Sequence, residues 1–302
     1  MQVIEGTTDF ALDRPCAVAI GKFDGIHRGH QELLNYIFAQ RERGLCSAVF
    51  TFDPPPTVFF GRSEIRGLTT REEKRKIFAR LGLDFLIEFP LTKETAAMQP
   101  EDFISEILLK RMKAAYVAAG KDVTFGDKGR GDAAMLSAYG RQYGFTVKLI
   151  DKICLQGKEV SSSLIREQVE LGEMEKVTEL IGFPYSVTGT VVHGKQLGRT
   201  IGMPTVNLLP PVDKLLPPNG VYFSNVSYQG KHYRSISNIG CKPTVSEERI
   251  MGVETYLYDF KETIYGKEIT VNLLRFKRPE MKFDSLEQLK AQMQKDIEEG
   301  KG

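Results

Sequence analysis

Two histidines three residues apart, His27 and His30, sit in the stretch GKFDGIHRGHQELL, residues 21–34, among Gly21, Gly25 and Gly29. At that spacing both imidazoles fall on one side of a helix's first turn, where they can donate hydrogen bonds to an anion. Glycines let a phosphate approach the backbone, and a helix N-terminus offers N–H groups and a favourable dipole. In SSSLIR, the hydroxyls of Ser161, Ser162 and Ser163 precede a helix carrying Arg166, a set suited to phosphate oxygens. In GTVVHGKQLGRTIGMPTVNLLPP, residues 189–211, a loop with Gly194, Lys195, Gly198 and Arg199 leads to Thr205 and Asn207. These last two share a strand face, and two oxygen-bearing side chains on one face suit a Mg²⁺ that keeps waters and bridges phosphates. No Walker-type GxxxxGK(S/T) loop occurs. Each pattern has a bland counterpart: a lone histidine fills a core position, three serines cap a helix, a polar glycine loop tips a hairpin. Two histidines inside one glycine-framed turn fit the bland reading least well.

Positioning these groups requires two kinds of scaffold. From Pro15 to about Phe183 short apolar runs alternate with amphipathic helical patterns, which predicts a parallel α/β sheet with strands in CAVAI, SAVFTF, DFLIEF, AAYVAA and FTVKLI. The histidine turn then lies at the carboxyl end of the first of these strands, where open α/β sheets bind nucleotides. Leu33, Leu34, Ile37 and Phe38 form one stripe ended by Gly44, Thr70 to Glu73 has capping-box spacing, and Pro100 suits a first helical position. The basic cluster REEKRK, residues 71–76, reads as the solvated face of that capped helix. From Tyr185 the period drops toward two, and YSVTGTVVHG, MPTVNLL, GVYFSNVSY, HYRSISNIG, ETYLYDF and EITVNLLRF predict six strands of a small closed antiparallel barrel. A last helix is expected in DSLEQLKAQMQKDI, capped by Asp284, with Leu286, Leu289, Met293 and Ile297 on one face. The two domains are thus expected to span residues 1–184 and 185–302.

Composition narrows the partners. In 302 residues, 41 Lys and Arg nearly cancel 39 Asp and Glu, so no general basic surface for nucleic acid or membrane is expected. Cys16, Cys46, Cys154 and Cys241 are scattered without metal or disulfide spacing, which fits a reducing cytosol. Neither an apolar leader nor a run long enough to span a bilayer is present, and a cytoplasmic protein is expected.

The histidine turn resembles the HxGH signature of the nucleotidylyltransferase superfamily. More narrowly, GKFDGIHRGHQELL resembles the start of the bacterial bifunctional riboflavin kinase and FAD synthetase family. TFDPPP, LTTREEK, GKDVTFGDKGRGD (120–132), SSSLIR, GRTIGMPTVN (198–207), NGVYFS, SNIGCKPTV, VETYLYDF and FKRPEMKFDSLEQLK follow in the family's order. The resemblance implies a Rossmann-like adenylyltransferase domain followed by a riboflavin kinase barrel, both using Mg-ATP, with riboflavin and FMN as flavin substrates. It further implies that His27, His30 and Arg166 act on the triphosphate, with Gly21, Phe23, Asp24, Gly25 and Ser161 to Ser163 around it, and that Asp122 and Phe125 contact flavin or adenine. In the barrel it implies Gly194, Lys195, Gly198 and Arg199 as the phosphate loop and Thr205 and Asn207 as Mg²⁺ ligands. Glu254 would be the general base on the riboflavin 5′-hydroxyl, and Asn238, Arg278 and Glu280 flavin contacts.

Several positions depart from the family's pattern. Pro55 stands where a histidine is usual, Val123 and Thr124 replace Phe and Arg, Leu164 replaces a polar residue, and Met203 and Val206 replace Phe and Ala. The first four line the expected flavin mouth of the N-terminal domain and bear on flavin affinity. Val206 should point away from Thr205 and Asn207, so phosphorylation is expected to be slower or unchanged but not lost. Rival readings keep one activity only, or make the chain a flavin-binding regulator; retention of the histidines, Arg166, Thr205, Asn207 and Glu254 argues against the regulator. Oligomeric state is left open.

Overall fold

The run CAVAI is buried along its whole length, as a central strand of a parallel sheet covered on both faces must be. The computed structural model describes residues 1–61, 66–194, 197–200, 202–243 and 249–301, with backbone only at 197, 199, 242, 243, 249 and 250. The chain divides into two compact units, Met1–Ser162 and Ser163–Gly302.

The first unit runs β1 (Gln2–Glu5), β2 (Cys16–Ile20), α1 (Arg28–Ala39), β3 (Cys46–Asp53), α2 (Pro56–Phe59), α3 (Arg71–Arg80) and β4 (Phe85–Pro90). It continues with α4 (Lys93–Ala96), α5 (Pro100–Asp102) extended by a π-helix over Phe103–Arg111, β5 (Ala114–Gly120), α6 (Ala133–Tyr143) and β6 (Thr146–Ile150). A small hairpin, β7 (Cys154–Leu155) and β8 (Lys158–Glu159), precedes α7 (Ser162–Glu170). The six main strands form one sheet in the order β1-β4-β3-β2-β5-β6, every pair parallel. The five expected strands are β2 to β6. β1 and the β7–β8 hairpin escape the sequence reading because runs of four and two residues carry no usable period. Alternate residues of the strands feed opposite faces: Ala17, Val49 and Leu86 pack on Leu33, Leu34 and Ile37 of α1 and Phe78 of α3, while Val18, Phe50 and Ile87 pack on Phe103, Ile104 and Leu136. The chain leaves β2 toward β3 on one side and returns to β5 on the other, so the crevice beyond the carboxyl ends of β2 and β5 is the topological switch point.

Helix α3 corrects one expectation. Thr70 Oγ1 accepts from the Glu73 amide and Glu73 Oε2 from the Thr70 amide, the capping box foreseen in the sequence. The basic residues that follow are not a solvated face. Arg71 binds Glu88 at 2.6 Å, Glu5 at 2.6 Å and Asp53 at 3.2 Å, and Arg75 binds both Glu5 and Glu88. Glu5 and Glu88 are register partners on adjacent strands, and Glu88 is only 3% exposed. Two neighbouring carboxylates, one buried, demand cations, and positions 71 and 75 lie on one helix face with Phe78. Burial works against the ionised form of Glu88, and the two guanidiniums win, holding its carboxyl below the usual range.

In the second unit α8 (Met174–Ile181) ends on left-handed Gly182 and packs on the first and last strands of the barrel that follows. These strands are β9 (Tyr185–Val192), then, after a short α9 (Leu197–Thr200), β10 (Thr205–Leu208), β11 (Gly220–Tyr228), β12 (Lys231–Pro243), β13 (Arg249–Leu257) and β14 (Glu268–Arg278), closed in the order β10-β13-β12-β11-β14-β9. All pairs are antiparallel, so the six expected strands are all present. Ser224, Ser235, Ser237 and Thr255 point inward and satisfy one another through hydroxyl contacts of 2.8 Å. Residues at odd offsets from these face outward, where α10 (Leu286–Glu299) covers Ile236, Tyr256 and Tyr258 with Met293 and Ile297. Ser285, not Asp284, caps this helix by accepting from the Gln288 amide, and Leu286 is exposed rather than part of the buried stripe.

Candidate functional site

Strand β2 ends at Ile20, and the next seven residues fold back on themselves before α1 begins. Phe23 and Ile26 adopt left-handed backbone (φ 50° and 44°) and Gly25 does so at φ 81°, so the turn is tightly wound. Phe23 is fully buried, its ring edge-on to Phe78 of α3 and 5.0 Å from the His30 ring, and it therefore forms a floor under the histidine. His27 stands at the N-cap of α1 but makes no capping hydrogen bond. Its ring instead stacks on His30, centroids 3.7 Å apart and planes inclined by 22°. A Cβ at Gly29 would come within 3.2 Å of the His27 ring, so this glycine makes room for the stack.

The two imidazoles are neutral. Burial lowers the pKa of His27 to about 4 against the opposing charge of Asp24, and that of His30 falls well below the usual value through burial, then the neighbouring His27 and the Lys74 cation. Stacked rings this close cannot both be charged. The Nδ1 atoms of both rings are buried and have no hydrogen-bond partner among the described residues. Buried nitrogens of this kind in a turn at a helix N-terminus are suited to hydrogen-bonding an anion.

Asp24 holds the turn against the segment before α3. Its Oδ1 accepts from the Leu68 amide at 2.8 Å and the Thr69 amide at 3.3 Å, Thr69 Oγ1 accepts from the Gly25 amide, and Lys74 Nζ donates to the Lys22 carbonyl at 3.1 Å. Ser162 Oγ donates to the Asp24 carbonyl at 3.0 Å, which brings this serine to the same turn. Ser161 is half-buried, while Ser163 and Arg166, on α7, belong to the second compact unit. At the end of β5, Asp122 is exposed and pairs with Lys152 at 3.5 Å. Phe125 lies in the core against Phe103, with ring centroids 5.3 Å apart, while Val123 packs on the same core and Thr124 is exposed. Gly131 is required there because a Cβ would enter the Phe125 ring. Lys74 is the residue that motif reading passed over. Its signal was the spacing: Arg71, Lys74, Arg75 and Phe78 form one stripe, and Phe78 fixes that stripe as the sheet-facing one.

In the barrel, strand pairing assembles a row across three strands. Asn207 of β10 is register partner of Glu254 of β13, which is register partner of Asn238 of β12. Directly opposed residues share a face, so one carboxylate lies between two amides on the outer side of the barrel. Thr205 Oγ1 donates to Glu254 Oε1 at 2.5 Å. Thr205, Asn207 and Glu254 therefore converge as hard oxygen donors, a set that suits Mg²⁺. Val206 pairs with inward Thr255 and so faces away from them, as expected.

The glycines beside this row are sterically specified. At Gly194 a Cβ would strike the Asn207 amide, and at Gly198 it would strike the Met203 carbonyl while lying 3.3 Å from Thr205 Oγ1. Lys195 lies outside the described residues, as does the side chain of Arg199. A cavity of about 130 Å³ adjoins Thr205, walled by Val191, Val206, Leu257, Phe260 and Tyr265, and His193 stacks on Tyr265 at 3.8 Å. Glu280 accepts from Asn238 at 3.3 Å and from Asn219 at 3.2 Å, over Gly240, where any Cβ would collide with its carboxylate. Arg278 is committed elsewhere: its guanidinium binds Asp296 of α10 at 2.6 Å. Asp296, 3% exposed, also receives Gln292 and faces Lys277, so this pair anchors α10 to β14.

Comparison with known proteins agrees with this division. Residues 9–164 match the family described as FAD synthetase and residues 181–302 the family described as riboflavin kinase. A bifunctional riboflavin kinase/FMN adenylyltransferase of Listeria monocytogenes is 36% identical, with 96% of this chain and 93% of the relative covered. One of the same description from Escherichia coli strain K12 is 35% identical, with 98% and 96% covered. A crystal structure described as a macrolide-efflux protein from Streptococcus pneumoniae superposes with a TM-score of 0.87 at 30% identity, covering 100% of this chain and 98% of that one. Among the described residues no helix is long and apolar enough to cross a membrane.

Proposed function

The chain belongs to the bifunctional riboflavin kinase/FMN adenylyltransferase family, and on that premise we propose how its residues divide the two reactions. It is an enzyme that phosphorylates riboflavin to FMN and adenylylates FMN to FAD. We assign adenylyl transfer to residues 1–184 and phosphorylation to residues 185–302, with ATP as co-substrate of both and the cytoplasm as the site of action.

For the kinase, Glu254 is the base. A hydroxyl attacking the γ-phosphorus of ATP must lose its proton to an acceptor in hydrogen-bond reach, and the new P–O bond forms as the bond to ADP breaks. The observation that carries this reading is the row Asn207, Glu254, Asn238 with Thr205 donating to the carboxylate at 2.5 Å. The two amides and the hydroxyl orient the base. Thr205 and Asn207 would hold Mg²⁺, which when bound offsets charge on the ATP phosphates. Gly194 and Gly198 with Lys195 and Arg199 form the phosphate loop, and the cavity beside Thr205, walled by apolar and polar side chains in similar measure, suits the nucleotide. Asn238 and Glu280 face the flavin, and Arg278 acts at one remove by fixing α10 through Asp296.

In adenylyl transfer an FMN phosphate oxygen attacks the α-phosphorus in line and pyrophosphate leaves, so positioning and charge compensation are all the protein need supply. His27 and His30, neutral and with orphaned nitrogens, present N–H donors to the triphosphate. Gly21 and Gly25 admit it to the backbone, and Ser161 and Ser162 border it. Phe23 and Asp24 serve by shaping the turn, while Asp122 flanks the flavin entrance beside core residue Phe125. The test is chromatography of the purified protein with riboflavin, ATP and Mg²⁺, resolving FMN and FAD over time. Sequential appearance of FMN and then FAD is expected, and absence of either product removes the corresponding half of the assignment.

A further inference from the structure

Lys74 stands at the histidine turn with a role that neither its helix nor the sheet beneath accounts for. It shares a helix face with Arg71 and Arg75, yet those two are consumed by Glu5, Glu88 and Asp53. Lys74 makes no ion pair among the described residues. Its ammonium donates to the Lys22 carbonyl, inside the turn that bears the histidines, and leaves two further donors. Burial lowers its pKa from the usual lysine value, Asp24, Glu88 and Asp53 oppose that shift by favouring the charge, and Arg71 adds to it, while the field of Lys74 reaches His30. The Asp24 contacts to the Leu68 and Thr69 amides and the Thr69 contact to Gly25 lock the start of α3 to this turn, so the ammonium is held there by the fold and not by chance.

The chemistry leaves a gap at this place. Both histidines are neutral and offer dipoles only, whereas a triphosphate and a departing pyrophosphate carry several negative charges. We propose that Lys74 is a phosphate-binding residue of the adenylyl-transfer site, its ammonium holding the β- and γ-phosphates of ATP in the forward reaction and free pyrophosphate in the reverse. As the FMN oxygen bonds to the α-phosphorus and the α–β bridging bond breaks, negative charge gathers on the pyrophosphate, and a cation fixed beside His30 stabilises it more than it stabilises bound ATP. This inference rests on the adenylyl-transfer reading of the first unit.

The test uses the full chain with two substitutions. Lys74→Gln keeps a donor for the Lys22 carbonyl and removes the charge, and Lys74→Arg keeps the charge. Initial rates of FAD formation against Mg-ATP, and of FMN release from FAD against pyrophosphate, are compared in proteins with unchanged thermal midpoints. Lys74→Gln is expected to lower kcat/KM by about 10²-fold in both directions, the scale of one lost transition-state donor, and to raise KM for pyrophosphate, with Lys74→Arg recovering most of the loss. Wild-type dependence on ATP and pyrophosphate in Lys74→Gln would overturn the proposal, as would equal impairment of the two variants, which would reduce Lys74 to a structural tie. A wild-type chain that makes FMN but no FAD would instead overturn the reading beneath it, a result seen without any variant.

Discussion

Gly194→Ala tests the barrel site through geometry alone, because it adds one methyl group and removes no functional atom. An added Cβ would lie 2.6 Å from Asn207 Cγ and 2.8 Å from its Oδ1, and closer still to Nδ2. Carbon contacts relax at about 3.5–4.0 Å, so the amide or the loop must move by about 1 Å. Asn207 is 6% exposed and paired on both sides, with Val192 of β9 and Glu254 of β13, which leaves the amide little room to retreat. Gly194 is not in left-handed backbone, so the cost is crowding and not strain in φ. Overpacking of this kind costs about 1–3 kcal/mol, which a folded chain can absorb. A displacement of about 1 Å at a positioning group can cost about 10²-fold in rate. The expected result is therefore a folded protein with a lowered thermal midpoint, riboflavin phosphorylation reduced by about 10²-fold, and adenylylation of supplied FMN unchanged. The two rates are measured separately on one preparation, with FMN omitted from the first assay and riboflavin from the second. Normal phosphorylation in a folded Gly194→Ala protein would refute the placement of Asn207 in the kinase site.

Glu254→Gln keeps the size and the contact from Thr205 while removing the proton acceptor, and should lower riboflavin phosphorylation by roughly 10²- to 10⁴-fold; equal loss of FMN adenylylation would point to misfolding. His30→Ala should lower FAD formation by about 10²-fold and leave FMN formation intact, and an unchanged FAD rate would make the histidine stack a packing feature only. Folding should weaken in acid through His27: its pKa is near 4 in the folded chain against 6.5 unfolded, so its contribution is complete above pH 6.5 and is lost as pH falls toward 4, by on the order of 3 kcal/mol. Urea titrations at several pH values on the wild type and on His27→Gln check this, and an identical pH slope in the two proteins would count against it.

Much of the fold was legible because period and punctuation agreed. All six barrel strands followed from alternation with Gly and Pro breaks, and five of the six strands of the sheet from apolar runs between helical stripes. The capping box at Thr70 was legible too, because its chemistry is local. What failed to show was whatever depends on partners distant in sequence. REEKRK looks solvent-facing until Glu5 and Glu88 are seen side by side beneath it. Phe23 and Phe125, attractive as ligand contacts, are a floor and a core residue because strands and helices elsewhere close over them. Gly29 read as room for a phosphate and Gly194 as part of a flexible loop, yet each answers to one neighbouring side chain, His27 or Asn207. Arg278 could not be separated from a ligand-facing role until α10 supplied Asp296.

The two sites meet one electrostatic problem in opposite ways, and their scaffolds explain why. At the carboxyl end of β2 the backbone already supplies N–H groups from a helix N-terminus, a stacked neutral pair over Phe23 gives oriented side chains without mutual repulsion, and Lys74 brings one ammonium to the turn. The outer wall of an antiparallel barrel offers no such dipole, since its backbone groups are spent in the ladder. There the chain sets polar side chains in register instead, Asn207, Glu254 and Asn238 across three strands, and under the proposed assignment positive charge would come from a metal and a basic loop. Register makes that row stiff but also vulnerable: a one-residue slip of β10 would send Thr205 and Asn207 to the inner face and bring Val206 out beside Glu254. The steric demands of Gly194 and Gly198 against Asn207 and Met203 oppose such a slip, which ties the glycines of the loop to the catalytic geometry as firmly as the ligands themselves.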